Sequence, residues 1–320
     1  LSQTGTFSVH DFRLNARGGD FRLSEPAAAE GAGAAGAASA GAASGGVEIE
    51  SVADIETLDE LGHGASGTVF RARHRTTGAV FALKQVTVFE PAKRLQAVSE
   101  LRIMRKHRCP WLVALYNAFY EEARVYAAME LMDAGSLAEL VEQHREAGGL
   151  RDEAELRRVA EQMLRGLAYL HEQRQVHRDL KPANVLLNSQ GAVKISDFGI
   201  SSQLEATGEL CSTFVGTTCY MSPERLRAEA YSYSSDIWSF GLILLELASG
   251  AYPYSTSGGA FYQLLGQIAD EPAPTLPAGH FSASLRDLLR RCLDKDPTRR
   301  PTAQELLSDA WLASGSHSHA

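Results

Sequence analysis

The sequence predicts an α+β fold in two lobes, a small, mostly β lobe with one key helix followed by a large, mostly helical lobe. Three observations carry this. Residues 55–132 alternate apolar and polar side chains in strand fashion, as in "GTVFRARH", "AVFALKQVTV" and "VYAAMELM". Residues 133–312 switch to longer helical patterns. The chain's 320 residues, 44% hydrophobic and 22% charged, suffice to bury a core in one large or two ordinary domains.

The arm, residues 1–26, carries "DFRL" twice, at Asp11–Leu14 and Asp20–Leu23, around "NARGG". Alternating Phe-x-Leu on both sides of a Gly-Gly turn predicts a small β-hairpin, which is marginal in water without a neighbour. Two readings stay open: a hairpin packed on a domain edge, and a docking peptide in which Arg13 and Arg17 precede Phe21 and Leu23. Residues 27–46 are almost only Ala, Gly and Ser, with nothing large to bury. They predict a flexible linker rather than an Ala-rich helix, since each interior Gly costs about 1 kcal/mol against Ala.

In the small lobe, residues 52–132, the strand-like "IETLDELG" runs into Gly62-His63-Gly64-Ala65-Ser66-Gly67-Thr68-Val69, the pattern GxGxxGxV. Glycines let the backbone approach a polyphosphate and aim its N–H groups at the oxygens; a plain glycine turn accounts for the pattern as well. The strand "TVFRARH" follows where a dinucleotide fold would need a helix, which argues against that fold. Next, Phe81-Ala82-Leu83-Lys84 ends an apolar run on a lysine, costly to bury unless paired. Glu100 offers the partner, in a helix predicted for "PAKRLQAVSELRIMRKH" with Pro91 in its first turn and Leu95, Val98, Leu101 and Met104 as its apolar stripe. On spacing alone, Lys84–Glu100 fits a structural ion pair as well as a functional one.

In the large lobe, residues 133–312, helical patterns occur in "DEAELRRVAEQMLRGLAYLHEQ", "SSDIWSFGLILLELASG", "GAFYQLLGQIAD", "SASLRDLLRRCLDKD" and "TAQELLSDAWL". Between the first two, "VHRDLKPANVLL" places Asp179 and Asn184 in a loop before a short strand. "VKISDFG" then places Asp197 at the end of the next strand, after the turn "NSQG". Phosphoryl transfer asks for positioning, a metal ion between phosphates, and one carboxylate to take the hydroxyl proton, and these residues supply those parts in order. Residues 313–320 read as a disordered tail, and His317 and His319 within it as frayed rather than metal-binding.

Bulk properties narrow the partners. A net charge of −8 disfavours nucleic acid and anionic lipid, which call for a surplus of Lys and Arg. Cys109, Cys211, Cys219 and Cys292 lie far apart without CxxC spacing, which suits free thiols in a reducing compartment, the cytoplasm or the nucleus. The remaining histidines show no ligand spacing, and no structural metal is expected. No run of apolar residues is long enough for a membrane span, and no charged-then-apolar leader opens these residues, which begin with Leu rather than Met. The expectation is a monomer.

With the Gly loop, Lys84, Glu100, "HRDLKPAN", "DFG" and "SPE" in this order, residues 52–312 resemble a eukaryotic protein kinase domain. The resemblance implies a bilobal protein kinase-like fold that uses ATP and Mg²⁺. It implies that Lys84 holds the α and β phosphates and is fixed by Glu100, that Asp179 is the catalytic base, and that Lys181 neutralises the γ-phosphate. Asn184 and Asp197 would hold two Mg²⁺ ions. Leu61, Gly62, Gly64, Gly67, Val69 and Ala82 would line the nucleotide, Met129 would guard its pocket, and the backbone of Glu130 and Met132 would meet the adenine. Glu224 would brace the large lobe by binding Arg300, and Asp236 would support the catalytic loop. Lys181 after Asp-Leu looks like the serine/threonine class.

"TFVGTTCYMSPERL" is similar to the MAP kinase kinase branch, as are "DIWSFGLILLELASGAYPY" and "CLDKDPTRRPTAQELL". Plant and algal members carry two phosphorylatable hydroxyls separated by five residues, the spacing of Thr207 and Thr213. The three-residue spacing of animal members would put an acid, Glu209, in the upstream position, so the five-residue reading holds. For Ser201, Ser202 and Ser212 a merely solvated loop is the expectation. The arm "HDFRLNARGGDFRLS" also resembles a segment before the kinase domain of plant members, with Gly18-Gly19 in place of the usual acid-glycine turn. The implied function is phosphorylation of Thr and Tyr in a MAP kinase substrate, switched on by an upstream MAP kinase kinase kinase. Alternatives are a MAP kinase kinase kinase, a Ste20-like kinase, or a pseudokinase scaffold.

Overall fold

A computed structural model describes residues 49, 51–64, 67–90, 97, 101, 103–198, 219–229, 232–254, 261–277 and 279–313, with the backbone alone of 6–9, 12–15 and 261–262. The chain divides into two compact units, residues 1–105 with 114–131, and residues 106–113 with 132–320.

In the arm, Thr6–Val9 (β1) pairs antiparallel with Phe12–Asn15 (β2), with Val9 opposite Phe12. Phe12–Asn15 therefore takes an upstream partner that the repeated "DFRL" did not suggest. Thr6-Phe7-Ser8-Val9 also alternates, and a two-residue connection is the commonest hairpin loop. The expected partner, Asp20–Leu23, and the linker 27–46 lie outside the described residues.

The first unit is built on a five-stranded antiparallel sheet. Its strands are Ile55–Gly64 (β3), Gly67–His74 (β4), Val80–Thr87 (β5), Leu115–Glu121 (β6) and Arg124–Met129 (β7), in spatial order β3-β4-β5-β7-β6. Period-two alternation sends Phe81 and Leu83 to one face, where they pack with Ile49, Ile55, Ala72, Phe119, Tyr126 and Ala128. Asn117 fastens the covering segment by donating to the Ile49 carbonyl at 2.7 Å. The sequence did not single out β6, whose alternation is broken by a register shift between Leu115 and Asn117. Of the expected helix, residues 97, 101 and 103–106 are helical, with Leu101 and Met104 buried. Leu95, Val98 and Glu100 lie outside the described residues.

Residues 106–113 fall inside the expected small lobe yet belong to the other unit. The reason is backbone pairing: Ile195 donates to the Trp111 carbonyl at 3.0 Å, and Val113 donates to the Ile195 carbonyl at 3.0 Å.

The second unit is mostly helical: Leu137–His144 (α1), Glu153–Glu172 (α2), Pro223–Leu226 (α3), Tyr233–Ser249 (α4), Phe261–Asp270 (α5), Ala283–Cys292 (α6), Ala303–Leu307 (α7) and Ala310–Ala313 (α8). Every residue from Ser235 to Ala248 is buried, so α4 is the central helix, as an all-round apolar sequence requires. The single pattern "TAQELLSDAWL" becomes two short helices because the Asp309 carboxylate accepts the Trp311 N–H at 2.8 Å and starts a new turn. Helix α1 was not picked out by its apolar pattern. Its signal is the capping box, in which Ser136 accepts from the Glu139 N–H and the Glu139 carboxylate accepts from the Ser136 N–H. A two-stranded ladder of Val185–Leu187 (β8) and Val193–Ile195 (β9) completes the unit. No helix among the described residues is long and apolar enough to cross a membrane.

Candidate active site

In the first unit, Lys84 lies on β5 opposite Val69 of β4 and Ala127 of β7, on the sheet face turned away from the Phe81 and Leu83 cluster. Its side chain is buried. Ala82 is on the same face, opposite Met129. The β3–β4 hairpin sets Gly62 against Val69 and Gly64 against Gly67. Gly67 has φ +118°, and a Cβ there would come within 2.2 Å of the Gln85 carbonyl oxygen, so the protein's own packing demands glycine. At Gly62 and Gly64 a Cβ would meet nothing within 4 Å. Among the described residues packing does not require glycine at either position, and bare backbone there leaves room for a polyphosphate. The N–H of Glu130 donates to the Ala114 carbonyl at 2.9 Å, so a base contact at Glu130 must use the carbonyl.

The second unit holds the acids. A 3₁₀ turn, Pro182–Asn184, carries Asn184 from the loop into β8. The Asn184 Nδ2 donates to the Asp179 carbonyl at 2.7 Å and to Asp179 Oδ2 at 3.2 Å, and Lys181 Nζ donates to the same Oδ2 at 2.9 Å. Asp179 Oδ1 accepts no hydrogen bond among the described residues. Ser196 ties the second acid to the first: its N–H and Oγ both donate to the Asn184 carbonyl, at 2.9 and 3.1 Å, and Asp197 follows directly. Asn184 spends its amino group on Asp179, and its side-chain oxygen and the Asp197 carboxylate are the ligand type that a hard divalent cation takes.

Burial and hydrogen bonds hold this loop against backbone strain. Arg178 and Asp197 have φ of +73° and +54°, the left-handed region, at a cost of about 1–3 kcal/mol each. Asp236, buried on α4, accepts from the His177 N–H at 2.8 Å and the Arg178 N–H at 3.1 Å, as well as from His171 Nε2 at 2.9 Å. The support expected of Asp236 is thus visible. Fully buried His177 donates from Nε2 to the Ser196 carbonyl at 3.0 Å and accepts the Asp179 N–H at Nδ1, 3.3 Å. It joins both acidic segments, a role the sequence reading missed. The expected bridge is also present: Arg300 binds Glu224 bidentately, with both N···O distances 2.8 Å.

Asp179, Lys181 and Asn184 are therefore in direct contact, and Asp197 is linked to them through Ser196. Glu100, Thr207 and Thr213 lie outside the described residues.

Residues 55–312 match the family described as "Protein kinase domain". Mitogen-activated protein kinase kinase 1 of Arabidopsis thaliana is 39% identical over 320 residues, covering 98% of this chain and 86% of that one. The chain belongs to the MAP kinase kinase family of protein kinases. This MAP kinase kinase is also 37% identical to the mitogen-activated protein kinase kinase SIPKK of Nicotiana tabacum, over 98% of its own length and 85% of the other. Against the MAP kinase kinase PBS2 of Saccharomyces cerevisiae it is 42% identical over 81% of its length and 40% of that protein. As a protein kinase it uses ATP and a divalent metal ion.

Proposed function

We propose that this MAP kinase kinase phosphorylates Thr and Tyr in the activation loop of a MAP kinase, with Mg²⁺ as its metal. The observation that carries the reading is the Asp179 cluster, in which one carboxylate oxygen is held by Lys181 and Asn184 while the other takes no hydrogen bond from the described chain. Asp179 orients the acceptor hydroxyl and takes its proton. Lys181 places a positive charge beside the transferring phosphoryl group. Lys84 holds the α and β phosphates, and the backbone at Gly62 and Gly64 covers them. Asn184 and Asp197 would hold the metal ion, which would supply charge neutralisation. Purified protein, radiolabelled ATP and a panel of inactive MAP kinases test this. Mass spectrometry should find both Thr and Tyr labelled in one loop, and labelling confined to serine or threonine would refute dual specificity.

The glycines separate fold from ligand. Gly67→Ala is expected to lower folding stability by about 2–3 kcal/mol through the forced φ and the clash with Gln85. Gly62→Ala should leave the denaturation midpoint in place and weaken nucleotide binding, measured by titration. Unchanged affinity in Gly62→Ala would remove the argument for close phosphate approach.

An upstream MAP kinase kinase kinase switches the enzyme on at Thr207 and Thr213. Each phosphate adds about −1.5 to −2 charges, and Arg178, beside Asp179, supplies a cation for one of them. The Thr207→Ala/Thr213→Ala protein, incubated with an activating kinase, should remain at basal activity. Full activation of the double variant would place the switch elsewhere.

A further inference from the structure

The residue before the proposed base is the most constrained point of the catalytic loop. Arg178 adopts φ +73°, unfavourable for any residue but glycine, so groups around it must hold it there. On its N-terminal side the hold is Asp236, whose Oδ1 accepts the Arg178 N–H at 3.1 Å. On its C-terminal side the hold is Arg225, whose Nη1 donates to the Arg178 carbonyl.

That carbonyl belongs to the peptide unit joining Arg178 to Asp179. The N–H of the same unit donates to His177 Nδ1 at 3.3 Å. A peptide unit is planar, so holding its oxygen and its hydrogen restrains where the Asp179 Cα stands, and with it the base of the side chain. One end is held by a buried histidine of the loop itself, the other by a cation from a different part of the fold. Arg225 sits in α3, Pro223–Leu226, beside Glu224, and Glu224 is locked by Arg300 and by the Ser235 hydroxyl at 2.8 Å. The guanidinium is thus presented from a short helix anchored to the core of its unit.

We propose that Arg225 is a positioning residue for phosphoryl transfer: it aims the Asp179 carboxylate by binding the Arg178 carbonyl, and so makes turnover depend on the seating of residues 223–226. This rests on the reading of Asp179 as the base. A charged donor to a carbonyl is directional and stronger than a neutral one, and a small misplacement of a reacting group can cost about 10²-fold in rate. The neighbouring Arg227 points elsewhere, donating to the Ala269 carbonyl and pairing with Asp270.

The full-length kinase with Arg225→Met, Arg225→Lys, Arg227→Met and Asp179→Asn decides the matter. Arg225→Met should lose about 30- to 100-fold in kcat, while KM for ATP stays within about threefold and the melting temperature moves little. Arg225→Lys, which retains charge and donor, should recover most of the rate, and Arg227→Met should match the parent. If Arg225→Met does not fold, Arg225→Gln is read by the same kcat and KM. Should Asp179→Asn be inactive while Arg225→Met keeps the parent kcat, the inference fails and the reading of the base survives. A fall of kcat, ATP affinity and melting temperature together, without recovery in Arg225→Lys, would mark a purely structural arginine and also overturn it. Full activity in Asp179→Asn would sink the reading beneath it.

Discussion

Asp179→Asn should transfer phosphate to an inactive MAP kinase about 10²–10⁴-fold more slowly than the parent, with nucleotide affinity nearly unchanged. Asparagine has the same shape as aspartate. Its side-chain oxygen can occupy the position of Oδ2 and keep the hydrogen bonds from Lys181, 2.9 Å, and Asn184, 3.2 Å. The amino group then stands where Oδ1 was, and an amide there cannot take a hydroxyl proton. The loop is otherwise held by Asp236 and His177, so the substitution removes basicity and leaves the scaffold. Steady-state rates with labelled ATP, alongside equilibrium nucleotide binding, separate the two effects. A parental rate would show that the proton leaves by another route.

Glu224→Ala is expected to destabilise the helical unit by about 3–5 kcal/mol, because it strands the Arg300 guanidinium where water does not reach. The paired side chains are 3% and 0% exposed, and Arg300 also lies over the Trp238 ring at 5.1 Å. Replacing both partners, as in Glu224→Met/Arg300→Leu, should cost less than Glu224→Ala alone, since no lone charge remains buried. Chemical denaturation of the three proteins measures this; a double variant less stable than the single one would show that the pair itself is strongly favourable.

The same pair predicts a dependence on pH. Burial pushes the Glu224 carboxyl up, but the hydrogen bond and charge of Arg300 outweigh it and hold the group below its ordinary value. A carboxylate depressed in the folded state stabilises fully above its unfolded pKa, about 4.3, and loses that contribution as pH falls through the folded value. Stability of the parent should therefore drop more steeply below about pH 4 than that of Glu224→Ala.

The residues of the candidate site were legible as motifs without coordinates. Lys84, Asp179, Lys181, Asn184 and Asp197 stand in short motifs whose residue types match what phosphoryl transfer needs. Strand and helix textures separated the two units. Reading failed where local pattern was absent or misleading. Residues 106–113 look like part of the β lobe until their pairing with Ile195 is seen. The alternation of Thr6–Val9 was overlooked beside the more conspicuous repeat downstream.

By itself the sequence determined the chemical inventory and its order, since propensity, periodicity and motif spacing all act over a few neighbouring residues. Only the tertiary structure decided how that inventory is aimed. The Asp179 loop is held by contacts from Ser196, Arg225 and Asp236, which stand 12 to 59 positions from the loop residues they bind. Such partners are selected by packing of the whole unit, which buries each polar group where another can satisfy it, and no local pattern encodes that choice.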